Sequence, residues 1–201
     1  LFGLQSALPG VEVQFNFRPT TDDSEYVKRL IDDVLRSRQT AGFVLIRAGV
    51  AVQRLVAAAG MPAVVSGTLQ PSVTQLPSVE RDQRQIGVVL VRHLIDAGCR
   101  KFLLLFRERI TAGDHVMLDA ARDELSAAGF TLADVTLRCL PTDAEAIAAE
   151  VRGLLRAQKQ RVGCLCRAEP LARGVAEAIR TLRLPAKRRP PIAVADVSRR
   201  A

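Results

Sequence analysis

The apolar positions of this chain follow two spacings, one typical of strands and the other typical of helices. Residues 11–18 place apolar side chains at every second position, which predicts a strand with one buried face. Residues 26–35 carry apolar side chains three and four positions apart, as on one face of a helix. Residues 43–46 and 101–106 are almost wholly apolar runs, which predict strands covered on both faces.

The same alternation continues to the end of the chain. Strands that are separated by helices imply parallel sheets with right-handed crossovers. The predicted order is β-α-β-α-β, a polar linker, and then β-α-β-α-β-α-β. The further predicted strands cover residues 63–65, 135–140, 162–166 and 192–195, and the further predicted helices cover residues 50–59, 83–97, 170–182 and the segments around Leu118 and Val151.

The two halves of the chain have similar predicted layouts. We therefore expect an α/β protein of two Rossmann-like subdomains, residues 1–98 and 99–201, with parallel sheets and helices on both faces. A ligand cleft between the subdomains is expected. In such sheets ligands bind beyond the carboxyl ends of the strands, so polar residues at those ends are the candidates for a site.

Charge adds the possibility of a nucleic-acid partner. The formal net charge is +8, and the densest basic cluster is Lys187–Arg188–Arg189. The remaining arginines are dispersed, however, and the chain has no Trp and only one Tyr to stack on bases. A solvated arginine-rich surface is the favoured interpretation, and direct nucleic-acid contact is the alternative.

Several classes of chemistry lack their sequence motifs. The four cysteines form no C-x-x-C pair and only two histidines are present, so we expect no zinc or other metal site. No Walker, G-x-G-x-x-G or G-x-S-x-G motif occurs, and no nucleophile, base and acid stand together. We therefore expect neither a cofactor nor an enzymatic activity. Reduced cysteines and the lack of a long apolar run suggest a cytoplasmic protein without membrane contact.

The segment at residues 76–106 reads LPSVERDQRQIGVVLVRHLIDAGCRKFLLLF. It resembles the most recognisable stretch of LacI/GalR-type transcriptional regulators. The shared features are Val79, Asp82, a small residue at Gly87, the letters HLI, Gly98, a basic pair and an apolar strand. Other segments resemble the family in the same order, namely residues 41–45 (AGFVL), 60–65 (GMPAVV), 167–174 (RAEPLARG), 184–185 (LP) and 192–196 (IAVAD).

The resemblance implies a periplasmic-binding-protein-like fold of type I that closes around a small polar effector. It also implies a homodimer that contacts operator DNA through a separate DNA-binding domain. The chain lacks that headpiece, and we expect it to be incomplete at both ends relative to the family. An extracytoplasmic sugar-binding protein of a transport system is the alternative, and an α/β enzyme is a third hypothesis. The low aromatic content, 4%, argues against the sugar-binding protein of a transport system.

Asp196 is the best candidate for the effector site, because the resembling Asp in several family members accepts hydrogen bonds from effector hydroxyls. The alternative is an ordinary loop carboxylate. Asp82 precedes a helix and has two interpretations, a helix cap, which we favour, and an acceptor in the cleft. Arg167 and Glu169 follow the strand at 162–166, although Glu169 also suits the start of a helix.

Further candidates follow other predicted strands. Phe106 ends the strand at 101–106 and Arg107 follows it, and both are expected to face the cleft. Ser66 follows the strand at 63–65. Met117 stands where the family often has an effector-binding Arg. His115 is the candidate replacement, and an exposed residue at the start of a helix is the alternative interpretation. The candidates suit a sugar or a related metabolite, and Arg107 and Arg167 favour an anionic or strongly polar one.

Overall fold

The computed structural model describes residues 2–16, 24–73, 75–141 and 143–197 as an α/β protein with two parallel sheets. Backbone packing divides the chain after Val79, so that the second unit begins at Glu80. The division lies before the helix Gln83–Asp96, whereas the sequence suggested a boundary at 98–99. The helix belongs to the second unit because it packs against another helix there, Ala112–Ala127.

The elements of the first unit are α1 (Phe2–Ala7), α2 (Ser24–Ser37), β1 (Phe43–Ile46), α3 (Val50–Ala58), β2 (Ala63–Ser66) and β3 (Ser78–Val79). The strands form one sheet in the order β1-β2-β3, and both pairs of strands are parallel. Val27 and Ile31 of α2 and Val52 and Val56 of α3 form the main buried cluster of this unit.

Two predictions for the first unit were wrong. Residues 11–16 form no strand, and residues 17 and 18 lie outside the described part of the chain. Val11 and Phe15 are exposed, and a strand needs a paired neighbour to satisfy its backbone groups. Strand β1 is buried on one face only, because α2 and α3 both pack with Phe43 and Leu45. Val44 and Ile46 point to the other face and are exposed.

The elements of the second unit are α4 (Gln83–Asp96), β4 (Lys101–Arg107), α5 (Ala112–Ala127), β5 (Val135–Leu140), α6 (Ala144–Ala157), β6 (Val162–Cys166), α7 (Glu169–Leu182) and β7 (Ile192–Val194), with short 3-10 turns at Leu132–Asp134 and Ala186–Arg188. The strands form a parallel sheet in the order β5-β4-β6-β7. The predicted strands of this unit were confirmed to within one residue at each end.

Helices cover both faces of this second sheet. Phe102, Leu104 and Phe106 of β4 pack with α4 and α5. Leu103 and Leu105 of the same strand pack with α6 and α7 on the opposite face. The prediction that residues 101–106 form a strand buried on both sides is therefore confirmed, as is the α/β fold class with parallel sheets.

The strand order of the second sheet locates a crevice. After β4 the chain moves to one side to form β5, and it then crosses to the other side of β4 to form β6 and β7. In sheets of this type the point where the direction reverses, here between β4 and β6, opens a crevice at the carboxyl ends of the strands. Residues that follow β4, β6 and β7 are brought to this carboxyl edge.

Candidate functional site

Arg167 is a buried cation at the carboxyl end of β6. Its side chain is only 5% exposed, and its backbone N–H donates to the carbonyl of Leu105 at 2.9 Å. Its Nε donates to Oδ1 of Asp114, and its Nη1 donates to Oδ2 of Asp196 at 2.7 Å. A buried charge is tolerated only when it is paired and hydrogen-bonded, and here two carboxylates neutralise the guanidinium.

Asp114 is held in place by the start of α5. Its side chain is fully buried, and its Oδ2 accepts hydrogen bonds from the backbone N–H and the hydroxyl of Thr111, both at 2.9 Å. This carboxylate therefore caps α5 with one oxygen and binds Arg167 with the other. The sequence interpretation did not include Asp114 in the site. The T-x-x-D spacing at 111–114 indicates the cap, but nothing in it identifies the distant arginine.

Asp196 follows β7 and joins the buried pair to the surface. Its side chain is 28% exposed, and Oδ1 accepts a hydrogen bond from Nη1 of Arg81, which is 52% exposed. Burial alone raises the pKa of Asp196. The hydrogen bond from Arg81 and the charges of Arg167 and Arg81 outweigh this effect and hold the pKa below its ordinary value.

Arg81, Asp114, Arg167 and Asp196 together form the charge network of the carboxyl edge. Its two guanidinium groups and two carboxylates cancel in charge. The inner pair, Asp114 and Arg167, is fixed by burial, whereas Arg81 is the exposed outer member. Such an arrangement offers fixed donors and acceptors to a polar molecule, provided that the molecule replaces the contacts made by Arg81.

Gln83, two positions after Arg81 in the chain, has a side-chain oxygen that can accept a further hydrogen bond. Its residue is 4% exposed, and its Nε2 donates to Glu80 at 3.0 Å. Its Oε1 is buried and has no hydrogen-bond partner among the described residues. A buried oxygen left without a donor costs about 1–3 kcal/mol, so this atom favours the arrival of a donor from a water or a ligand. Sequence reasoning passed over Gln83, because a helix-starting Gln is ordinary.

The other candidates near this edge have local partners or are exposed. Asp82 accepts a hydrogen bond from the backbone N–H of Gln85 at 2.8 Å, which confirms the favoured interpretation as the cap of α4. Glu169 accepts a hydrogen bond from Nε of Arg173 at 2.9 Å on the first turns of α7. His115 is exposed on the first turn of α5.

The remaining candidates are separated from the network by burial or by position. Phe106 is fully buried in the core with α4 and α5, so the expectation that it faces a ligand is wrong. Arg107 is half-buried at the end of β4. Ser66 is exposed at the end of β2 in the first unit. Met117 is fully buried in the same core as Phe106, so no charged group occupies that position.

Within the described residues, no group of three or more His, Cys, Asp or Glu side chains is arranged to hold a metal ion. No helix in this part of the chain has the length and apolar character needed to span a bilayer. The four cysteines are free thiols, and burial raises the pKa of Cys166 to about 12. A buried thiol of this kind behaves as a small core side chain.

The chain was compared with known families, curated proteins and solved structures. No family model and no curated protein sequence matches it. The solved structures do match. The transcription regulator GntR from Chromobacterium violaceum superposes with a TM-score of 0.75 at 20% identity, covering 96% of this chain and 71% of its own.

Two further solved structures give the same result. A PurR family transcriptional regulator from Vibrio parahaemolyticus has a TM-score of 0.69 at 18% identity, covering 86% of this chain and 65% of its own. A LacI family transcriptional regulator from Enterococcus faecium was solved with bound ribose. It has a TM-score of 0.65 at 16% identity, and the match covers 85% of this chain and 62% of the Enterococcus chain.

The protein is thus an α/β protein with the periplasmic-binding-protein-like fold of LacI- and PurR-type transcriptional regulators. The resemblance noted in the sequence is confirmed at the level of the fold. The chain spans about two thirds of the length of these solved chains, 65% of the Vibrio regulator and 71% of the Chromobacterium regulator.

Proposed function

We propose that this chain is the effector-sensing part of a bacterial transcriptional regulator of the LacI type, with a binding role and no catalysis. The observation that carries the proposal is the charge network at the carboxyl edge of the second sheet. The network lies at the point where a doubly wound sheet binds its ligands. The fold that presents it is shared with transcriptional regulators, one of which holds ribose.

Binding is proposed to exchange an internal contact for a ligand contact. Arg81 is the weakly held member, because an ion pair with a half-exposed partner contributes little to stability. When a ligand displaces it, Oδ1 of Asp196 becomes free to accept a hydrogen bond. Arg167 stays in place, since Asp114 continues to hold its Nε. The site therefore needs little reorganisation to bind.

The ligand class follows from the groups that become available. Oδ1 of Asp196 is an acceptor and requires a donor on the ligand. The unpaired Oε1 of Gln83, two positions after Arg81 in the chain, is proposed to accept a second hydrogen bond from the ligand. Neighbouring hydroxyls of a sugar or a related polar metabolite supply such donors. The Enterococcus faecium regulator with bound ribose supports this class. A hydrocarbon-like ligand would leave both acceptors unpaired and is therefore disfavoured.

The regulatory consequence depends on a second state. A ligand shifts an equilibrium only when its affinity differs between the two conformations. We propose that the full-length protein is a cytoplasmic homodimer, that its operator DNA is bound by a DNA-binding domain outside this chain, and that the ligand changes the affinity for DNA.

The test is a thermal-shift screen of the chain against pentoses, hexoses, sugar phosphates, purines and small organic acids. A ligand that binds only the folded state at one hundred times its Kd adds about 2.7 kcal/mol to the free energy of unfolding. Asp196→Asn should strongly reduce the shift for the best compound, because a neutral amide oxygen accepts hydrogen bonds from ligand hydroxyls more weakly than a carboxylate does. Gln83→Leu should weaken it.

Asp134→Asn is the matched control. Asp134 is also an ion-paired carboxylate of the second unit, but it lies before β5 at the amino edge and pairs with Lys101 at 2.9 Å. The Asp134→Asn variant should show the same ligand-induced shift in melting temperature as the original chain. If every compound that stabilises the original chain stabilises Asp196→Asn equally well, the binding site lies elsewhere and the proposal is contradicted. The lack of any binder in all five classes would contradict it too.

A further inference from the structure

A second polar feature of the second unit lies at the opposite end of its strands. It is an open surface cavity of about 390 Å³ between the last turns of α7 and the loop before β7. Asp196 follows the carboxyl end of β7, whereas this loop precedes its amino end. The cavity is therefore distinct from the charge network. Its lining residues are Ala176, Ile179, Arg180, Arg183 and Arg189.

This arginine cavity is positively charged. Residues 178–195 contain five cations and no carboxylate. Glu177 is the acid on its border, and it binds Arg180 through two contacts, Nε to Oε2 at 2.8 Å and Nη2 to Oε1 at 2.6 Å. Among the described residues, neither Arg183 nor Arg189 has an ion-pair partner. The cavity thus keeps two guanidinium groups whose charge is not neutralised.

The loop that carries Arg189 is held by hydrogen bonds within itself. The backbone N–H of Arg188 donates to Pro185 at 2.8 Å and that of Arg189 donates to Ala186 at 3.2 Å, which closes a 3-10 turn. The Nε of Arg189 donates to the carbonyl of Leu184 at 3.1 Å, so its two terminal amino groups remain for a ligand. The flanking prolines, Pro185 and Pro190, limit the backbone further. Little conformational entropy is therefore lost when this side chain binds.

Arg183 occupies a backbone conformation that glycine adopts more readily than arginine does. It ends α7 with φ 48° and ψ 40°, in the left-handed region that favours Gly at this position of a helix. An arginine here lowers stability relative to Gly and places its guanidinium in the cavity. A residue kept in a sparsely populated conformation is a reason to look for a function of its side chain.

We propose that the arginine cavity binds a phosphate group. A phosphate monoester carries close to two negative charges and three acceptor oxygens, which matches the two unneutralised guanidinium groups. A carboxylate has one charge and would neutralise only one of the two positive charges. The phosphate belongs either to a small phosphorylated molecule or to a nucleic acid. Each backbone diester carries a single charge, so in a nucleic acid two neighbouring phosphates would meet one guanidinium group each.

The first experiment is a calorimetric titration of the chain with inorganic phosphate at constant ionic strength, with chloride as the balancing salt. We expect saturable binding that Arg183→Gly weakens about tenfold, because a charge-assisted contact is lost. Arg38→Gly is the matched control. Arg38 follows α2 with φ 54°, so the change relieves the same backbone conformation without touching the cavity.

Arg183→Gly and Arg38→Gly both relieve strain, so a loss of binding in the first cannot be attributed to unfolding. Arg189→Gln should also weaken binding, and Arg189→Lys should weaken it less. Asp196→Asn should bind phosphate as the original chain does, which separates this proposal from the proposed effector site. No saturable binding, or equal affinity in Arg183→Gly, would overturn the proposal.

A second titration, with a short DNA duplex, distinguishes the two sources of phosphate. Duplex binding that falls steeply with salt and falls again in Arg183→Gly would assign the cavity to a nucleic-acid backbone. Phosphate binding without duplex binding would assign it to a small phosphorylated molecule. Preferential binding of polyglutamate over both probes would overturn the phosphate assignment and indicate an acidic protein surface.

Discussion

The two edges of the second sheet use the same residue type in opposite ways. At the carboxyl edge, Arg167 is buried and is bound by Asp114 and Asp196, which arrive from α5 and from the end of β7. At the amino edge, Arg183 and Arg189 are exposed and lack carboxylate partners among the described residues. One edge is neutral and fixed, and the other retains positive charge.

The difference shows that the number of arginines does not determine what an edge does. A buried guanidinium requires carboxylates, so its neighbourhood becomes neutral and ordered, which suits recognition by hydrogen bonds. An exposed guanidinium needs no partner from the protein and stays available to an anion. Each edge therefore makes its own prediction about stability when an arginine is removed.

Replacement of the buried Arg167 should have the largest effect on the free energy of unfolding. Arg167→Leu leaves Asp114 buried without a cation, which should lower the free energy of unfolding by about 3–5 kcal/mol. Arg180→Leu removes a guanidinium from the amino edge whose side chain is 76% exposed, and it should change stability by less than about 1 kcal/mol. Urea unfolding followed by circular dichroism measures both changes.

A double variant identifies the cause of that loss. Asp114→Asn keeps a side chain that is able to cap α5 but removes the buried charge. Added to Arg167→Leu, it should recover part of the stability, since no uncompensated charge remains. If the free energy of unfolding falls equally in Arg167→Leu and in the double variant, the buried charge of Asp114 does not cause the loss of stability in Arg167→Leu.

At the amino edge, the loss of an arginine should increase stability. Arg183→Gly removes a left-handed conformation that a side chain adopts only at a cost, so the free energy of unfolding should rise by about 1 kcal/mol. Gly98→Ala is the reverse control. Gly98 has φ 77° just after α4 and open space around its Cα, so the added methyl group should destabilise by a similar amount. A loss of stability in Arg183→Gly would show that its side chain contributes to folding.

The outer member of the charge network should be almost neutral for folding. Arg81→Met removes an ion pair whose arginine is 52% exposed, so stability should fall by less than about 1 kcal/mol. The same change should raise the pKa of Asp196, because the hydrogen bond from Arg81 lowers it. Carboxyl-carbon NMR titration measures this pKa. An unchanged value would mean that Arg81 does not hold Asp196.

Strands β4 and β6 are buried on both faces, and each was predictable from a nearly continuous run of apolar residues. The run at 43–46 looked the same in the sequence but has one exposed face. An apolar run indicates a strand, and the number of covered faces depends on where the flanking helices pack. The alternation at 11–18 predicted a strand that lacks a paired neighbour over residues 11–16.

The candidate site was predictable only in part. Arg167 was a candidate because it follows an apolar strand, and the carboxyl ends of parallel strands meet at one edge. Asp196 was a candidate because it resembles an Asp of LacI/GalR-type regulators. Asp114 was missed, because its partner Arg167 is 53 positions away in the chain. Phe106 was misplaced, since the last residues of a strand alternate between the two faces, and its side chain points into the core. Local sequence does not contain these tertiary contacts.

The smallest predicted effect on stability comes from the ion pair between Lys101 and Asp134 at the amino edge. The hydrogen bond from Lys101, followed by two from Thr131, lowers the pKa of Asp134 from 3.8 to about 2. The unfolded chain therefore binds a proton before the folded chain does. The resulting stabilisation is complete above pH 3.8 and is lost as the pH falls toward 2.

Lys101→Gln should raise the pKa of Asp134 toward 3.8 without reaching it, because the hydrogen bonds from Thr131 remain. Carboxyl-carbon NMR between pH 2 and 5 follows the change. Arg183→Gly should leave this pKa unaltered, which serves as the control. A pKa near 3.8 in the original chain would mean that Lys101 is as free as Arg183, and the amino edge would then carry one more cation available to an anion.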